Sequence, residues 1–105
     1  MEWLLEEYVV CKTCIALLEI NAAVQDYSRE HDGICMIKRL KSAFQAVEGI
    51  GAENDLADLA EFAREMQCMV EFWATANEIP CKDEIRVIQS ARDRVLSLAL
   101  GPAMR

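Results

Sequence analysis

Glycine and proline are scarce in this sequence. Four glycines and two prolines interrupt 105 residues. So few breakers exclude a chain of many short strands and tight turns, and leave long elements with few connections. No Asn-Gly pair and no sustained apolar–polar alternation marks a hairpin. No Gly-rich loop marks a phosphate site, and neither an internal repeat nor a low-complexity segment is present. Positive charge is also in short supply, with 11 Lys and Arg against 18 Asp and Glu and a net charge of −7. Such a chain is repelled by DNA, RNA and anionic membranes. A basic protein surface, including one built to hold nucleic acid, is the partner its charge admits. Glu2, Glu6 and Glu7 stand where a secretory leader carries basic residues. The most apolar stretch, 8–24, contains Lys12, Glu19 and Asn21 and is short for a membrane span. Five cysteines, an odd number, without a leader fit reduced thiols and a cytoplasmic location.

What is present is apolar residues, 53% of the chain. That is enough for a core in one domain spanning residues 1–105. The spacing predicts an all-α bundle of about four helices, near 2–30, 34–48, 54–77 and 82–100, with no sheet. Asp32-Gly33 separates the first two helices, Gly49-Ile50-Gly51 breaks the pattern after the second, and Asn54 is the expected N-cap of the third. Pro80 separates the third from the fourth, and Leu100-Gly101-Pro102 reads as a stop.

Three helices carry one apolar face each. The second has Met36, Ile37, Leu40, Ala43, Phe44 and Val47. The third has Leu59, Phe62, Ala63, Met66, Met69, Val70 and Trp73. The fourth has Ile85, Ile88, Ala91, Val95, Leu98 and Ala99. These are the stripes of amphipathic helices. The first helix is apolar nearly all round. Leu4, Tyr8, Cys11, Ile15, Leu18 and Ala22 share one face, and Leu5, Val9, Ala16, Ile20, Ala23 and Tyr27 a roughly opposite one. A polar stripe of Lys12, Glu19 and Asp26, spaced by sevens, fills one gap. Such a helix either lies central among the others or forms a homodimer interface.

Cys11, Cys14, His31 and Cys35 read C-x2-C-x16-H-x3-C, a spacing with the outline of a zinc site. A continuous helix from 11 to 30 sets its two ends about 30 Å apart, too far to share an ion. A redox Cys pair belongs at a helix N-terminus, and Cys11 lies more than two turns inside. Buried core thiols are therefore expected at Cys11 and Cys14, with Cys35 and Cys68 opposite their helices' core stripes, and no metal or cofactor. His31 is a lone imidazole at a helix end, and no Ser-His-Asp set or Glu-x-x-His pair surrounds it. Catalysis is not expected.

Lys38, Arg39 and Lys41 form the one basic cluster, expected on a solvated face or against acids of the third helix. Asp55, Asp58, Glu61 and Glu65 step along that third helix with only Arg64 opposing, and Phe72 lies off its core stripe. Asp58 and Glu65 align beside that stripe, although the four do not share one narrow face. Rows of carboxylates at helical spacing imitate a phosphate backbone, and equally serve as solubilising charge. An off-face Phe is a partner anchor or packs on a neighbouring helix. These five residues are the candidate partner-binding site.

In size, acidity and helicity the whole chain resembles small acidic phage-encoded inhibitors of the anti-CRISPR type. The likeness is one of class and rests on no residue motif. It implies binding to a CRISPR effector subunit or nuclease in a host cytoplasm, with the acidic helix competing for a basic groove. A homodimeric helical adaptor, chaperone or antitoxin-like partner acting through the first helix is the alternative. A zinc or redox protein using Cys11, Cys14 and Cys35 is a second.

Overall fold

A computed structural model describes the backbone of residues 2–30, 32–76 and 82–104, and the side chains of 9, 11–30, 32–76 and 82–99. It contains four α-helices in the order α1 (Glu2–Glu30), α2 (Gly33–Glu53), α3 (Ala57–Ala76) and α4 (Lys82–Met104), with no strand among the described residues. The fold is an all-α bundle of 45 × 23 × 19 Å. The 29 residues of α1 extend about 44 Å, the full length of the molecule. A bundle this short requires the remaining helices to fold back alongside α1. Neighbours pack as a ring: α1 on α2, α2 on α3, α3 on α4 and α4 on α1.

The core is built from the stripes the spacing predicts. Met36, Ile37, Leu40, Ala43, Phe44 and Val47 of α2 are buried, as are Leu59, Ala63, Met66, Val70 and Trp73 of α3 and Ile88, Ala91, Val95 and Ala99 of α4. Phe62, Met69 and Leu98 pack at its margin. From α1 come Val9, Ala16, Leu17, Ile20 and Ala23. Thr13 is buried among them, and its hydroxyl donates to the Val9 carbonyl one turn back at 2.7 Å, which satisfies a polar group that water cannot reach. The helix is not central. Its opposite side is open, with Ile15 and Leu18 63% and 66% exposed. Cys11 and Cys14 are exposed as well, not the buried thiols expected. On the helical wheel Cys11 falls between Ile15 and Leu18, in the middle of that open side, and Cys14 falls at its margin. Leu4, Leu5 and Tyr8, assigned to the two apolar faces, have side chains outside the described residues, and Pro80, Cys81 and His31 lie outside them altogether.

Three boundaries differ from expectation. Asp32 caps α2, its carboxylate accepting from the Cys35 amide at 3.0 Å. That helix does not end at 48 but continues through Gly49 and Gly51 to Glu53. Gly51 is there for room: a Cβ on it would stand 2.7 Å from the Ala60 backbone nitrogen. Tertiary packing at this corner outweighs the about 1 kcal/mol of helix propensity each glycine forfeits. Asn54 is therefore not the N-cap of α3 but the C-cap of α2, its amide donating to the Ile50 carbonyl at 2.8 Å. Asp55 follows with φ 57°, and the Leu56 amide donates back to the Gly51 carbonyl at 2.8 Å. A left-handed residue bracketed by this long backbone bond is a Schellman ending, with Asp55 where glycine is usual. Lastly, α4 runs past Leu100 to Met104. Pro102 therefore does not stop the helix.

Candidate protein-binding site on α3

Two of the ring's neighbours use their charges on each other. Lys41 of α2 meets Glu71 of α3 at 2.6 Å. Arg64 of α3 pairs with Glu48 of α2 at 2.9 Å, and Gln67 donates to the same carboxylate at 2.8 Å. The amide of Gln67, then the Arg64 guanidinium, hold the Glu48 carboxyl below the usual carboxylate range. Arg39, expected to face solvent or α3, turns to α1 and bridges Glu19 at 2.7 Å and Asp26 at 2.6 Å. Its bond to Asp26 lowers that carboxyl's pKa in turn. Leu40, between two of these cations, is fully buried. The basic cluster is thus a set of interhelix links, not a solvated patch, and Lys38 is its exposed member.

Because Arg64 and Glu71 face α2, the other side of α3 keeps carboxylates alone. Asp58, Glu61 and Glu65 are all exposed, and among the described residues no ion pair holds any of them. With α3 beginning at Ala57, Asp55 leaves the row and belongs to the preceding turn. The remaining three, at i, i+3 and i+7, gather with Phe72 inside an arc of about 60°. They were expected to be more scattered because Asp55 was counted as helical. The Phe72 ring is 61% exposed, two turns beyond Glu65, with Cys68 exposed between them. Four of the five candidate residues therefore lie on one open face. The carboxylates are about 5 Å apart along the axis, against about 3.4 Å per phosphate on one DNA strand.

A second feature involves residues the spacing had not assigned to a site. Between α1 and α2 runs an open groove of about 870 Å³, with Ile15 and Leu18 on one wall and Ala46, Gly49 and Ile50 on the other. Its α2 wall was missed because Gly49-Ile50-Gly51 was read as a break; the signal was Ala46, Gly49, Ile50 and Glu53 at helical spacing. Among the described residues no group of three His, Cys, Asp or Glu comes together as a metal set, and no helix is long and apolar enough to cross a membrane. Comparison of the chain with protein-family models, with curated proteins and with solved structures finds no match.

Proposed function

We propose that this chain is a small acidic inhibitor or regulator that works by occupying the surface of a protein partner. The contact face is the outer side of α3: Asp58, Glu61 and Glu65 supply the charge and Phe72 the anchor. The observation that carries this reading is the pairing pattern. The cations of α2 and α3 neutralise Glu48 and Glu71, while three aligned carboxylates stay open beside an exposed aromatic ring. A basic groove on the partner complements such a face, and the ring supplies the desolvated centre that charge alone lacks. In its narrower form, following the likeness to anti-CRISPR proteins, the partner is a CRISPR effector subunit or nuclease and the acidic face competes with nucleic acid for its groove.

The test uses the purified chain as bait in nuclease-treated host lysate, with elution by a salt step. A nucleic-acid-handling complex that is released by salt and displaced by added DNA or RNA is the expected result. Charge reversal at all three positions (Asp58→Lys, Glu61→Lys, Glu65→Lys) should abolish capture. Phe72→Ala should weaken it by about tenfold, the effect of truncating a modest anchor. A partner that holds through high salt, or is kept by the triple variant, overturns the electrostatic reading.

A further inference from the structure

We infer that two copies of this chain pair through the outer side of α1, antiparallel about a two-fold axis between Ile15 and Leu18. Cys11, Ile15, Leu18 and Ala22 recur at intervals of four, three and four residues, the rhythm of a coiled-coil seam. The core side of the same helix carries its own buried set, Val9, Ala16, Ile20 and Ala23, so the seam is not needed to hold the bundle together. It stands open because α1 is packed chiefly by α2 and α4, and the groove beside it has small residues, Ala43, Ala46 and Gly49, against which a partner's side chains seat.

Charge identifies the occupant as a second copy. Chains of charge −7 repel one another, so they meet only where that charge is cancelled. Along this side Lys12, Arg29 and Arg39 offset Glu19, Asp26 and Glu53, leaving Glu30 at the far end of α1, and Arg39 already clamps both Glu19 and Asp26. The α3 face, with three unpaired carboxylates, excludes a like copy by the same rule. Antiparallel pairing also sets this charged flank against itself, so that Lys12 of each copy approaches Glu19 of the other; parallel pairing sets it against the opposite, uncharged flank of Cys14, Asn21 and Gln25 and forgoes that contact. In this arrangement Ile15 faces Leu18 of the second copy, and Cys11 faces Ala22.

Sedimentation equilibrium on the reduced protein should give the mass of two chains. Leu18→Glu should return the mass of one with unchanged helical circular dichroism, since Leu18 is two-thirds exposed and outside the core. A chain carrying Cys14→Ser, Cys35→Ser, Cys68→Ser and Cys81→Ser but keeping Cys11 should form a disulfide-linked dimer on mild oxidation only when Ala22→Cys is added. A monomer across the micromolar range overturns the inference, as does a dimer indifferent to Leu18→Glu, or one cross-linked through Cys11 alone. The readout is mass, and it is independent of any partner bound on α3.

Discussion

At Asp55 a single residue carries the turn between α2 and α3. Its φ of 57° lies where a Cβ crowds the following carbonyl, a strain of about 1–2 kcal/mol that Asp tolerates better than most and Gly escapes. Asp55→Gly should raise the unfolding free energy from denaturant titration by up to about 1 kcal/mol, and Asp55→Val should lower it by about as much. Both should leave partner capture intact, because the residue has left the acidic row. Two nearby glycines test the reading of the α2 C-terminus in opposite directions. A Cβ at Gly49 meets nothing within 4 Å, so Gly49→Ala should stabilise by about 0.5–1 kcal/mol. At Gly51 the obstacle is the Ala60 backbone, which cannot rotate away, and Gly51→Ala should cost about 1–3 kcal/mol by chemical denaturation.

Between elements, the carboxylates held by cations and amides give the bundle an acid-sensitive component. Arg39 is the main cause of the lowered pKa of Asp26, and Gln67 with Arg64 of that of Glu48. A carboxyl whose folded pKa is depressed stabilises above its unfolded value, and that contribution disappears as pH falls through the folded value. Stability should therefore be flat from neutral pH to about pH 5 and decline below about pH 4. Thermal melts of Arg39→Gln should be lower at neutral pH and converge on the native chain in acid, where the clamp is gone in both. The helices themselves were legible wherever one face was apolar: the predicted stripes of α2, α3 and α4 are buried or packed at the core margin, Ile85 of α4 excepted. What the residues did not announce was how helices meet. Gly51 reads as a breaker until Ala60 is placed against it. Asn54 caps either way, and only the fold decides which helix it ends. Arg39 had acids on two helices within reach, and packing chose those of α1.

Over the whole molecule, α1 and α3 occupy opposite corners of the ring, each packed by α2 and α4. The acidic face and the apolar seam are thereby turned away from each other. A dimer joined by α1 carries two α3 faces on its outer sides, free to bind at the same time. If a partner presents two basic grooves, the second contact gains from effective concentration. Loss of the dimer through Leu18→Glu should then weaken capture without touching a carboxylate. Four of five candidate residues were found on one face because exposed charge on a helix follows directly from its spacing. The open side of α1 was foreseen only as an alternative to burial, since an apolar stripe reads the same whether a neighbouring helix or a second chain covers it.

The helices are unequally held. The α2 helix has broad interfaces with both α1 and α3, whereas α4 touches α3 only slightly and depends on α1, where Arg92 donates to the Asn21 side-chain oxygen. Partial opening of the native state follows that inequality. The last helix detaches first, its amides exchange with solvent well before those of Leu40, Phe44 and Val47, and the detached α4 segment becomes the point at which this chain is vulnerable to proteolysis.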